Sequence, residues 1–129
     1  MALNEESTNL AYRLGRLFAV LEKAQEEAVP GANATIKDRF YGSASATPSV
    51  VFPQLLRLSQ HHIAKLEGGA KIHKEQLIQA ILGGVDGVKG IPPHLSLEDQ
   101  GMFALGYYHQ RKSFFTKKEA NQEEEVIHG

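Results

Sequence analysis

The sequence contains no cysteine. This absence excludes disulfide bonds, thiolate metal sites and cysteine nucleophiles, and it suits a reducing compartment. The sequence also lacks a run of 18 apolar residues, and it lacks a positively charged start followed by an apolar stretch. Neither a membrane span nor a signal peptide is therefore indicated. We expect a soluble, cytoplasmic protein that makes no contact with a membrane.

Strand patterns and internal repeats are missing as well. No segment alternates apolar and polar residues over the length of a strand, whereas apolar residues recur at helical spacing, most clearly from about Thr8 to Ala28. A chain of 129 residues suits one domain that buries roughly two-thirds of its unfolded surface. The sequence therefore predicts an all-α fold, a bundle of four to five helices.

Turn and capping residues divide this bundle into segments. The first helix ends at Val29-Pro30-Gly31, and the second begins after Thr35. Thr47 is expected to cap a third helix that has proline in its first turn and stops at Gly68-Gly69. A fourth helix of roughly 12 residues is predicted next, fraying at Gly83-Gly84. The last helix, capped by Ser96, should reach about Phe115.

The last predicted helix combines glycine, aromatic and basic residues. Gly101 and Gly106 are poor helix formers, so we expect both where another helix packs closely. Helical geometry brings three rings together and assigns them to the core, namely Phe103, Tyr107 and Phe114. Tyr108 and Phe115 are then left as the rings that could contact a ligand.

Charge is unevenly distributed along the chain although the net charge is only −1. All 14 basic residues lie between Arg13 and Lys118, together with nine acidic residues, so this part carries a net charge of +5. The other six acidic residues lie near the two ends. We therefore predict a helical bundle domain over residues 1–118 and a disordered acidic tail over residues 119–129.

Basic side chains form short rows on several predicted helices. On the third helix, Gln54, Arg57, His61 and Lys65 share one polar stripe opposite the apolar face. Rows of this kind suit phosphates, which require charge at the right separation, better than base edges. The alternative is that each row is only the solvated face of its helix. The candidate nucleic-acid-binding residues are Arg13, Arg16, Lys23, Lys37, Arg39, Arg57, His61, Lys65, Tyr108, Arg111 and Lys112.

The sequence contains only weak candidates for catalytic, metal-binding or phosphate-binding motifs. Glu98 and Asp99 are adjacent in a first helical turn, where the helix dipole explains them and where they converge poorly on a substrate. His61 and His62 lack a further ligand at metal-binding spacing. The glycine-rich stretch from Gly83 lacks the lysine of a phosphate loop. We expect no enzymatic activity, no metal and no cofactor.

Five ordered blocks of the sequence resemble a known family. They cover residues 11–22, 33–39, 42–48, 55–62 and 94–101, so the likeness extends over nearly the whole chain. The chain is similar to the C-terminal part of the type I-C CRISPR Cascade large subunit. In that family an internal start also produces this part as a separate small subunit. The sequence leaves open whether the chain is that translation product or a domain cut from the large subunit.

This resemblance implies a function. It implies a non-catalytic small subunit, present in several copies, that binds unwound target DNA and stabilises the R-loop formed with guide RNA. Its partners would be the backbone RNA-binding subunits, the large subunit, further copies of itself and single-stranded target DNA, with guide RNA as a further candidate. The alternative is a protein-protein spacer that does not touch nucleic acid. Copy number and the identity of the contacted strand are left open.

The acidic tail generates a first prediction. Deleting residues 119–129 should leave the melting temperature nearly unchanged, because this segment is short, polar and without apolar residues at helical spacing. Thermal unfolding followed by circular dichroism measures the effect. A fall of many degrees would show that the tail docks on the bundle.

Overall fold

Five helices make up the described part of the chain. The computed structural model describes residues 3–31, 35–83, 85 and 90–128, with side chains up to Phe115. The helices are α1 (Leu10–Ala28), α2 (Ile36–Ala46), α3 (Pro48–Ala64), α4 (Gly68–Gly83) and α5 (Leu97–His128). No strand occurs among these residues, which confirms the predicted all-α bundle. None of the described helices combines the length and the apolar character needed to cross a bilayer.

Polar side chains cap the starts of three helices. The Asn9 side chain accepts a hydrogen bond of 3.0 Å from the backbone nitrogen of Tyr12. Thr35 caps α2 in the same way, and the hydroxyl of Ser96 accepts a bond of 3.1 Å from the backbone nitrogen of Asp99. Each bond satisfies a first-turn amide that has no partner within its own helix. The predicted Ser96 cap is confirmed.

The junction between α2 and α3 differs from the prediction. α3 begins at Pro48 as expected, but the Thr47 hydroxyl donates to the Ser43 carbonyl oxygen at 3.1 Å. Thr47 therefore closes the end of α2 and does not cap α3 with its side chain. The backbone nitrogen of Ser49 donates instead to the Pro92 carbonyl oxygen at 3.1 Å. The acceptor for this first-turn amide of α3 therefore comes from the segment before α5, which is distant from α3 in the sequence.

Three helix ends also differ from the predictions. α3 stops at Ala64, before the expected glycine pair, and α4 has 16 residues because it begins at Gly68, whose φ is +59°. α5 continues to His128 and does not stop near Phe115. Residues 107–128 contain neither glycine nor proline, so nothing in the sequence interrupts the helix. The division into a bundle and an acidic tail at residue 118 stays a prediction.

α1 is the central helix of the bundle. It contacts each of the other four helices. Every residue from Ala11 to Gln25 is buried except Arg13 and Lys23, which are half-buried. A helix covered on nearly all sides must accommodate its own polar residues inside the fold, where each needs a hydrogen-bonding partner.

Aromatic rings fill the core beside α1. Phe18 and Tyr41 lie 5.5 Å apart between ring centroids, and both contact Phe103 and Tyr107 at 5.1 to 6.1 Å. Phe103 and Tyr107 are fully buried, as the helical geometry predicted. Phe114, expected with them, is only partly buried at the edge of this cluster. Edge-to-face arrangements of this kind add to the stability gained from burial alone.

α1 and α5 approach each other backbone to backbone through two glycines. A Cβ atom on Gly15 would overlap the Phe103 carbonyl oxygen, and one on Gly106 would overlap the Tyr12 carbonyl oxygen. The prediction of close packing is thus confirmed for Gly106. It is wrong for Gly101, where an added Cβ would meet none of the described atoms within 4 Å. The role of Gly15 was not predicted, because its contact depends on which helix lies opposite.

The glycine contact predicts opposite effects for two substitutions in α5. Gly106→Ala should lower the free energy of unfolding by about 1–3 kcal/mol, because its methyl group forces two backbones apart. Gly101→Ala is the matched control and should raise it by up to about 1 kcal/mol through helix propensity alone. Urea denaturation measures both. Equal stabilisation by the two substitutions would contradict the close approach.

Candidate nucleic-acid interface

The polar row predicted on the third helix lies on the surface, with Lys65 directly after the last residue of α3. We call it the α3 stripe, and its residues Gln54, Arg57, His61 and Lys65 are all exposed. Its position follows from the opposite face of α3, where Phe52 and the other apolar residues are buried against the bundle. Among the described side chains, no carboxylate forms an ion pair with Arg57 or Lys65. The positive charge of the stripe is therefore available to a ligand.

Aromatic and basic side chains from three helices meet on a second surface. We call it the α5 patch, and it consists of Lys23, Lys37, Tyr108, Arg111 and Phe115. The Lys37 ammonium lies 6.0 Å from the centroid of the Tyr108 ring. The Lys23 ammonium and the Arg111 guanidinium lie 5.8 Å and 5.7 Å from the centroid of the Phe115 ring. The fold thus brings Lys23 and Lys37, predicted on the first and second helices, next to Tyr108, Arg111 and Phe115 of the last helix.

A buried hydrogen-bonded network supports the α5 patch from below. The Tyr107 hydroxyl donates to Glu22 Oε1 at 2.7 Å, and Arg111 Nη1 donates to the Tyr107 hydroxyl at 2.9 Å. Burial raises the pKa of the Glu22 carboxyl, and the bond from Tyr107 partly offsets this effect. Burial and the bond to Glu22 likewise raise the pKa of Tyr107. This network was not predicted from the sequence. Glu22, four residues after Phe18 on the apolar face of the first helix, could have indicated a buried carboxylate that needs a partner.

Two of the predicted arginines have structural roles. Arg16 was expected on an exposed row of α1, but it is only 3% exposed, and its Nε donates to Gln110 Oε1 at 3.0 Å. This expectation is wrong because α5 covers that side of α1. Burial lowers the pKa of the Arg16 guanidinium. Arg13 is half-buried and donates to the carbonyl oxygens of Ser7 at 2.7 Å and Ile81 at 3.2 Å.

The last two candidates lie outside both surfaces as defined. Arg39 is exposed on α2, and its guanidinium carbon lies 5.0 Å from the centroid of the Phe40 ring. Lys112 is exposed on α5, next in sequence to Arg111. Both positions are accessible to solvent. In the structure, the α3 stripe, Arg39 and Lys112 are exposed, whereas Arg13 is half-buried and Arg16 is buried. The remaining candidates lie in the α5 patch.

An apolar groove separates α3 from α4. It encloses about 680 Å³, its lining includes Leu56, Ile63, Ile78 and Leu82, and Arg57 contributes to one side. Grooves with this lining suit the side chains of a protein partner. Within the described residues, no three histidine or carboxylate side chains are grouped so that they could hold a metal ion. The chemistry available on these surfaces is charge neutralisation, ring stacking and apolar contact.

A comparison with known proteins identifies the family. A protein-family model described as CRISPR-associated protein (Cas_Csd1) matches residues 1–115. A search of curated proteins finds no match. The family match includes α1 to α4, and it extends through the part of α5 that carries both Gly106 and the α5 patch. The chain therefore belongs to the Cas_Csd1 family and is a CRISPR-associated protein of the Cascade type.

Proposed function

We propose that the chain is a non-catalytic small subunit of a type I-C CRISPR surveillance complex, where it binds unwound target DNA and stabilises the R-loop. Membership of the family supports a place in a Cascade-type complex. The observation that supports contact with DNA is the α3 stripe, in which Arg57 and Lys65 are exposed and without an ion-pair partner among the described residues. The proposed partners are DNA, the backbone subunits, the large subunit and further copies of this chain.

The spacing of the α3 stripe suits a nucleic-acid backbone. Eight residues separate Arg57 from Lys65, which corresponds to about 12 Å along a helix. A stacked strand presents about three or four phosphates over that length, at roughly 3.4 Å each. In an R-loop the guide RNA reads the sequence by base pairing, so a protein that holds the DNA needs charge and no base-specific contacts.

A protein-protein spacer is the second candidate function. The groove between α3 and α4 supports it, because an apolar cleft of about 680 Å³ can receive side chains from a neighbouring subunit. Arg57 belongs to both the groove and the α3 stripe, so its location alone does not distinguish the two functions. The response of DNA binding to salt does, because only phosphate contacts release counterions.

Removing two cations from the α3 stripe tests the proposal. The double variant Arg57→Ala, Lys65→Ala should weaken binding to single-stranded DNA and lower the slope of log affinity against log salt by about 1.4, at roughly 0.7 per phosphate contact. The free energy of unfolding should change by under about 0.5 kcal/mol per site, because both residues are exposed. Titrations of oligonucleotides at several salt concentrations measure the slope.

The matched control is the double variant Gln54→Ala, Gln60→Ala. Both glutamines are exposed on α3 and neutral, so the salt dependence should stay that of the natural chain. Assembly with the other subunits should persist in both variants. An unchanged slope after loss of Arg57 and Lys65 would contradict the phosphate contact. Loss of assembly together with retained DNA binding would favour the spacer.

A further inference from the structure

The acidic tail, residues 119–129, lies beyond the part of the chain that the family model matches. That match ends at residue 115, whereas α5 continues to His128. Within the tail, the three glutamates at 123–125 directly precede Val126 and Ile127. The tail is therefore an anionic segment with two apolar residues near its end, and family membership does not explain this composition.

The groove between α3 and α4 leaves apolar surface accessible. Leu56, Ile78 and Leu82 line the groove and are only half-buried, so part of each side chain stays uncovered in a single copy. Covering this surface is favourable, because apolar area is then removed from water. A groove of about 680 Å³ is large enough to receive more than one side chain of a partner.

Basic side chains accompany the apolar lining of the groove. Arg57 and Lys71 contribute to the lining, and neither forms an ion pair with a described carboxylate. Glu75 is the only acid among the described residues that line the groove. A segment in which carboxylates adjoin apolar residues complements such a surface in both charge and polarity. The acidic tail has this composition.

The packing of α5 favours the tail of a second copy over the tail of the same copy. α5 packs mainly against α1 and α2, and no described residue of α5 lines the groove between α3 and α4. Val126 follows Phe115 by 11 residues, which corresponds to about 16 Å along a continuous helix. The tail thus extends beyond the packed part of α5, where another molecule can bind it.

We infer that the acidic tail of one copy docks in the groove between α3 and α4 of a second copy. The glutamates at 123–125 pair with Arg57 and Lys71, while Val126 and Ile127 cover the apolar lining. The inference rests on the proposed function in naming a further copy of the chain as the partner, but it requires no DNA.

The geometry of this contact determines how copies associate. Groove and tail are different surfaces, so the contact is heterologous, and a bound pair still has one free groove and one free tail. Further copies can therefore add at either end. Because the tail docks on another copy, its deletion removes no contact within a single bundle, which agrees with the small effect on melting temperature expected for the dilute chain.

Lys71 is the residue that separates docking of the tail from binding of DNA. Arg57 belongs to both the groove and the α3 stripe, whereas Lys71 lines the groove and lies outside the stripe. Lys65 is the matched control, because it belongs to the stripe and does not line the groove. Charge reversal at these two lysines gives variants of equal net charge.

Sedimentation of the full-length chain without DNA tests the inference. The natural chain should associate as its concentration rises, and Lys71→Glu should weaken this association at least about five-fold through loss of an ion pair and new repulsion. Lys65→Glu should associate like the natural chain. Replacing the glutamates at 123–125 with lysine should also weaken association. A mixture of this tail variant with Lys71→Glu should associate again, which shows that both variants are folded.

Cysteine crosslinking identifies the two surfaces in contact, since the natural chain has no cysteine. One copy carries Gln79→Cys, at an exposed position of the groove, and an isotopically labelled copy carries Gln122→Cys in the tail. Oxidation should yield a mixed disulfide dimer that mass spectrometry distinguishes from dimers of one variant. Gln54→Cys, exposed on α3 outside the groove, is the control and should give little mixed dimer.

Three outcomes would overturn the inference. One is a natural chain that stays monomeric at all concentrations, and another is equal weakening of association by Lys71→Glu and Lys65→Glu. The third is a disulfide that forms only within single chains carrying both Gln79→Cys and Gln122→Cys, which would assign the tail to its own groove. Normal association combined with an unchanged salt slope of DNA binding in the Arg57 and Lys65 variant would keep the docked tail and reject the α3 stripe.

Discussion

The contact between the backbones of α1 and α5 determines most of the other structural features. With only hydrogen atoms at Gly15 and Gly106, the two helices approach closely enough for three polar links to form between them. Arg16 bonds Gln110, Tyr12 bonds His109 at 2.8 Å, and Glu22 bonds Tyr107. A wider separation would leave these buried groups without partners, which is costly in a low-dielectric interior.

The same contact divides the basic residues into two groups. Arg16 lies on the side of α1 that α5 covers, so its charge maintains the fold. Lys37 lies where α2 meets the solvent, beside Tyr108, and Arg111 is half-buried on α5, beside Phe115. Tyr107 and Tyr108 are an example of how packing decides exposure. Successive residues of an α-helix are rotated by about 100°, so the Tyr107 ring lies in the core and the Tyr108 ring lies in the solvent. The exposed α5 patch is thus a consequence of how the core packs.

Local sequence signals predicted the helices and much of their orientation. Helical periodicity and the Ser96 cap act within a few residues, so the all-α fold and the exposure of the α3 stripe could be derived from the sequence. Residues whose partners are distant in sequence could not be assigned in this way. The burial of Arg16 and the close contact at Gly15 depend on which helix crosses α1, and periodicity does not contain that information. The family resemblance indicated a component of a Cascade-type complex but assigned no role to single residues.

The claim that the α3 stripe contacts DNA in the assembled complex is tested most directly by a photocrosslink. A photoreactive amino acid at Gln54, which is exposed within the stripe and carries no charge, would report what lies beside it without removing a cation. On a complex bound to its target, the account predicts a crosslink to a DNA strand that appears only when the R-loop has formed. A crosslink to a protein subunit alone, present with or without target DNA, would contradict it.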